Sequence, residues 1–136
     1  MYKNAKHLLN NRGNYYVSPP TIGEFYLKST SLSKDSFNNL HSLITRCKVI
    51  PQPVRNSCCY RFAMEAATIL EDKYHDYSEA MDALIIASAA SDHKCDTFYT
   101  TDSKMNNNFY LKKKLNELRS EFYMDTSFEI QSLSIL

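Results

Sequence analysis

Between residues 79 and 91 the chain is apolar on nearly every side of a helical wheel, which predicts a helix from Glu79 to about Ser91 buried on several sides, with Ser78 placed to cap it. Phe62, Ala66, Ile69 and Leu70 fall on one stripe, so Cys58 to Tyr74 predicts an amphipathic helix ending in Glu71-Asp72-Lys73. Phe37, Leu40, Leu43 and Ile44 give Ser33 to Cys47 the same spacing, and Ala5, Leu8 and Leu9 put a helix within Met1 to Gly13. A lysine-rich helix is expected from Leu111 to Arg119. Thr21-Ile22-Gly23-Glu24 has the T-x-x-E form of a capping box, so a further helix is expected to start there and continue through Phe25, Tyr26 and Leu27.

Strand patterns lie between these helices. Tyr15-Tyr16-Val17 is aromatic and β-branched and stops at Ser18-Pro19-Pro20, where the prolines remove ladder donors. Lys48-Val49-Ile50 is closed by Pro51-Gln52-Pro53, Thr97 to Thr101 ends at Asp102, and Phe128-Glu129-Ile130 leads the last strand. Helices alternating with short strands imply an α/β layer fold with a mainly parallel sheet. In such sheets ligands bind beyond the carboxyl ends of the strands.

At 136 residues, 43% hydrophobic and 23% charged, the chain has the size and composition of one globular domain. Its two glycines, Gly13 and Gly23, cannot spell a dinucleotide fingerprint or a Walker loop. A net charge of +1 means that any polyanion site must be local. Cys47, Cys58, Cys59 and Cys95 lack C-x-x-C spacing, and His7, His41, His75 and His93 are scattered, so no zinc site is expected. The longest apolar stretch, Ala83 to Ala90, is far short of the ~20 residues of a membrane span. Met1-Tyr2-Lys3-Asn4 leads into no signal-peptide core, which makes the cytoplasm the expected compartment.

Three acids stand out against this frame. Asp82 shares a helical stripe with Ile85, Ile86 and Ala89, an acid on an apolar face. Asp102 follows directly on a strand. A helix of about 12 residues runs roughly 18 Å from its start and a five-residue strand runs roughly 17 Å back, so the two acids are expected at the same sheet edge. Glu24, in the first turn of a helix that follows another strand, reaches that edge too if the strands are parallel. Each acid also has a purely structural role open to it: Asp82 answering orphan amides, Asp102 as N-cap, Glu24 as capping-box glutamate. Three carboxylates together repel, and their natural occupant is a hard dication, Mg²⁺ or Mn²⁺, which suits phosphodiester hydrolysis by metal-activated water.

The segments Ser18-Pro19-Pro20-Thr21-Ile22-Gly23-Glu24, Met81-Asp82-Ala83-Leu84-Ile85-Ile86-Ala87-Ser88-Ala89 and Tyr99-Thr100-Thr101-Asp102 resemble the PIN domain family, in the right order, over a match from about Tyr15 to Ile130. The resemblance implies a three-layer α/β/α fold with a parallel sheet and a divalent-metal nuclease acting on single-stranded RNA, many members being VapC-type toxins silenced by an antitoxin. It assigns Glu24, Asp82 and Asp102 to metal ligation and Thr100 to orienting them. The family opens with a central strand ending in aspartate. Here the first residues read as the helix that follows it, and no aspartate precedes Asp35, so residues 1–136 are expected to form one N-terminally incomplete PIN-like domain.

Two further readings stand beside the nuclease: a catalytically inactive PIN-like domain that binds RNA or a protein partner, and an unrelated flavodoxin-like domain in which the acids are scattered. Lys112-Lys113-Lys114 with Lys104 and Arg119 form a candidate phosphate-backbone track, the alternative being a solvated helix face. The expected partners are thus RNA and an antitoxin, with a homodimer allowed and no membrane. The tyrosines are expected to be mainly bulky core residues in a chain without tryptophan.

Overall fold

The computed structural model describes residues 2–11, 13–50, 57–74 and 79–133. They are mixed α/β, mostly helical, with short parallel strand pairs. The chain divides into two compact units, Met1–Pro51 with Leu133–Leu136, and Gln52–Ser132.

The first unit contains α1 (Tyr2–Leu9), β1 (Tyr16–Val17), α2 (Pro19–Lys28), a 3₁₀ turn (Ser29–Ser31), α3 (Lys34–Thr45) and β2 (Lys48–Val49). β1 and β2 are parallel, Tyr16 opposite Lys48 and Val17 opposite Val49. The ladder is flanked by hydrogen bonds from Lys48 N to Tyr15 O at 2.9 Å and from Ile50 N to Val17 O at 3.0 Å. α3 begins where the sequence predicts, with Ser33 accepting from the Ser36 amide. At its other end the Arg46 guanidinium donates to Leu9 O at 3.1 Å, covering a carbonyl that the end of α1 leaves without an intrahelical donor. Phe25, Phe37 and His41 stack, with the Phe25–Phe37 and Phe37–His41 centroids 5.3 and 5.5 Å apart.

α2 departs from the sequence reading. Its N-cap is Ser18, whose Oγ accepts from the Thr21 amide at 3.3 Å, and Pro19 and Pro20 occupy the first turn. Proline is at home there, because the amide it lacks would have had no intrahelical acceptor. The helix therefore starts before Thr21, and Glu24 lies beyond the first turn rather than at the capping-box position.

The second unit contains α4 (Ser57–Tyr74), α5 (Glu79–Ala90), β3 (Thr97–Thr100), α6 (Ser103–Asn106), α7 (Phe109–Glu121) and β4 (Glu129–Ser132). α4 packs on α5 and α7. Phe62, Ala66 and Leu70 of α4 meet a core that includes Ala83, Ile86, Ala87 and Ala90 of α5 and Leu111, Leu115 and Leu118 of α7, all buried. The expected stripe and the all-round apolar helix are both present. β3 and β4 are parallel in the register Thr97–Glu129 to Thr100–Ser132. β4 opens after Phe128, because the Phe128 amide and carbonyl are taken by the Asn116 side chain at 2.8 and 2.9 Å.

The strands thus form two separate two-stranded sheets among the described residues. No described helix is long and apolar enough to cross a membrane. The predicted Ser78 cap and the Pro51-Gln52-Pro53 stop lie outside the described residues.

Candidate active site

Thr100 is the last residue of β3, and Asp102 stands two residues on with extended backbone, φ −78° and ψ 111°. That conformation turns the side chain back over the start of α6. Asp102 Oδ1 accepts from the Lys104 amide at 2.9 Å, and the Asp102 amide donates to Thr100 Oγ1 at 3.0 Å. Hydroxyl and carboxylate are therefore fixed to one another by the T-x-D spacing. Because β3 and β4 are parallel, Thr100 and Ser132 end their strands side by side, and α6 packs over both strands. Asp82 lies in the first turn of α5, half-buried, and α5 packs on β3. The second unit thus carries Asp82 on α5, Thr100 on β3 and Asp102 at the N-cap of α6, with α5 and α6 both packed on β3.

Glu24 belongs to the first unit. Its Oε1 pairs with Lys28 Nζ at 2.5 Å, one helical turn on, with the lysine side chain 70% exposed. Such an exposed pair at i, i+4 is worth only about 0.3–0.5 kcal/mol, so it holds the carboxylate loosely. Two carboxylates and a hydroxyl in the second unit are hard oxygen donors, the chemistry that Mg²⁺ or Mn²⁺ accepts, and Mg²⁺ commonly takes one or two carboxylates and fills its shell with water. Among the described residues no group of three or more His, Cys, Asp or Glu side chains is placed to hold a metal ion.

Burial disfavours the thiolate at three of the cysteines, Cys47, Cys58 and Cys95. Burial, with Asp92 adding to it, pushes the Cys95 thiol up from 9.0 to about 11. Burial also raises Cys47 and Cys58.

The candidate nucleic-acid residues separate by environment. Lys112 pairs with Glu129 at 3.2 Å, and Lys114 lies 3.9 Å from Glu117. Lys104 is half-buried at the second position of α6. Lys113 is exposed, with no ion pair or hydrogen bond among the described residues. Arg119 is not part of any track: it is 1% exposed, and its guanidinium donates to Ala90 O, Asp92 O and Thr126 O and Oγ1. Its place was readable, since Arg119 lies four residues after the core residue Leu115 and eight after Leu111. The sequence reading missed Phe109 and Tyr110, each 71% exposed rather than core, and the same stripe places Phe109 opposite it. Comparison of the chain with family models, curated proteins and solved structures finds no match.

Proposed function

We propose that this chain is a PIN-like, divalent-metal-dependent endoribonuclease with a three-layer α/β/α plan, acting on single-stranded RNA, with a toxin–antitoxin pair as its setting. The observation that carries the proposal is the carboxyl end of β3, where Asp102 is held against the Thr100 hydroxyl while α5, bearing Asp82 in its first turn, packs on the same strand.

In this proposal Asp82 and Asp102 bind Mg²⁺ or Mn²⁺, and Thr100 keeps Asp102 oriented through the backbone bond it accepts. The ion, when bound, supplies an activated water and neutralises phosphate charge. Asp102 spends Oδ1 on the Lys104 amide and offers its second oxygen. Glu24, which the resemblance also assigns to the metal, belongs to the first unit and pairs with Lys28 there. The family resemblance, not an established relative, provides the substrate class.

A second reading is favoured by the use that two of these acids already have: Glu24 pairs with Lys28, and Asp102 caps α6. Under it the domain binds RNA or a protein partner without cutting. Incubating a labelled single-stranded RNA with the protein in Mn²⁺ or EDTA separates the two. The nuclease predicts cleavage in Mn²⁺ that EDTA stops and Asp102→Asn lowers at least about tenfold. Cleavage that survives EDTA rules out the metal mechanism, and binding without cleavage in Mn²⁺ supports the second reading.

A further inference from the structure

α7 begins with two large aromatic side chains in water. Phe109 and Tyr110 are each 71% exposed, with their rings edge to face at 6.1 Å and 73°. Neither ring anchors the helix. That work falls to Asn108, whose Oδ1 accepts from the Leu111 amide, and to the buried Leu111, Leu115 and Leu118.

The surroundings select the chemistry of what covers the rings. Lys113 stands four residues after Phe109 and three after Tyr110, the spacings that put side chains on one helical face, and it has no anionic partner among the described residues. The first turn of α7 carries no acid, so the positive end of the helix dipole is left uncompensated there. The acids of the helix come later, and Glu117 lies within reach of Lys114. Flat rings beside an unmatched cation suit a ligand with flat faces and negative charge, which is what unpaired bases on a phosphate backbone present. A paired duplex keeps its base faces stacked inside and cannot use the rings.

We infer that Phe109, Tyr110 and Lys113 form a stacking platform for single-stranded RNA, with the bases on the two rings and a backbone phosphate at the lysine. The identity of the ligand rests on the nuclease reading. Phe109 lies seven positions after Asp102, and chain reach limits their Cα atoms to about 25 Å, with the α6 turn shortening the path further. One strand can therefore lie on the platform while it passes the acids at the end of β3. The platform sets affinity and register, and the acids carry the chemistry.

The chain contains no tryptophan, so Tyr110→Trp installs a single fluorophore in the platform. The experiment titrates that variant with a 12-nucleotide oligouridylate RNA in EDTA, where the RNA stays intact, and follows tryptophan quenching. It also measures anisotropy of the labelled oligomer against wild type and a Phe109→Ala/Tyr110→Ala variant. Both rings are exposed, so the variants are expected to fold, and circular dichroism verifies it. The expected result is saturable quenching by the oligomer, none by a duplex of the same length, and binding weakened by about tenfold for each ring removed. The platform is overturned if the oligomer binds without quenching, if the double variant binds within twofold of wild type, or if the oligomer does not bind at all. It is equally overturned if the double variant changes only the sedimentation of the protein, which would make the patch a contact between two copies. Cleavage of the same RNA in Mn²⁺ is scored separately. Quenching without cleavage keeps the platform and removes the nuclease, and cleavage with unchanged binding by the double variant does the reverse.

Discussion

Replacing Arg119 is expected to destabilise the second unit more than any surface substitution, and the structure sets the size of the effect. The guanidinium is 1% exposed and lies 5.5 Å from the Phe128 ring centroid. It donates to Ala90 O at 2.8 Å, to Asp92 O at 3.4 Å, to Thr126 O at 3.1 Å and to Thr126 Oγ1 at 2.7 Å, so one side chain joins the end of α5, the turn after it and the approach to β4. Arg119→Met removes a buried cation, which by itself favours the variant. It also strands the Ala90 carbonyl, at about 1–3 kcal/mol for a buried acceptor without a donor, and loses a ring contact worth about 1–2 kcal/mol. We expect the losses to exceed the gain by about 2 kcal/mol. Arg119→Ala adds an unfilled volume and is expected to cost about 4 kcal/mol. At about 3 °C per kcal/mol for a chain of this size, the alanine variant should melt about 10 °C below wild type. Arg119→Lys keeps the charge but not the planar fork that reaches two segments at once, and should fall between them. Thermal and urea unfolding followed by circular dichroism measure all three. A methionine variant as stable as wild type would mean that dehydration of the guanidinium outweighs its hydrogen bonds, and would refute the clamp.

Two further outcomes follow from local geometry. Tyr123 has φ 59°, and its amide and that of Met124 close the end of α7 on Ser120 O and Arg119 O, the left-handed arrangement that usually takes glycine. The side chain is 92% exposed, so Tyr123→Gly loses little packing and should raise stability by about 0.5–1 kcal/mol in urea unfolding; a loss of stability would contradict this. The Cys95 thiol, raised in the folded protein from 9.0 to about 11, contributes stability that is complete below pH 9 and is lost as pH rises toward 11. Wild type should therefore lose stability over that interval more steeply than Cys95→Ala, and parallel pH profiles would contradict the assignment.

Much of the local structure was legible in the sequence, because apolar spacing reports directly which side of a helix faces the core. α3, α4 and α5 follow Leu43, the stripe from Phe62 to Leu70, and the apolar run around Ile86. Starts and ends were less legible where two local rules compete. Thr21-x-x-Glu24 fits a capping box, but Ser18 followed by two prolines fits an earlier start, and the earlier cap gains the first helical turn. α7 likewise begins at Phe109 rather than Leu111, because Asn108 caps it. At the candidate site the T-x-D spacing was readable, since its hydrogen bonds span two residues. The fate of Arg119 and of the exposed Phe109 and Tyr110 was not drawn from the motif, because a basic cluster or an aromatic count says nothing of facing until the core stripe is laid over it.

The acids of the second unit are best tested by the melting temperature of the protein with and without millimolar Mn²⁺, for wild type, Asp82→Asn and Asp102→Asn. Asparagine caps a helix about as well as aspartate, so Asp102→Asn removes the charge while keeping the bond from the Lys104 amide. A dication at 100 times its dissociation constant stabilises the folded state by about 2.7 kcal/mol, so wild type should melt several degrees higher with Mn²⁺, and both variants should lose most of that rise. A wild-type melting curve that Mn²⁺ leaves in place would contradict a metal site at Asp82 and Asp102.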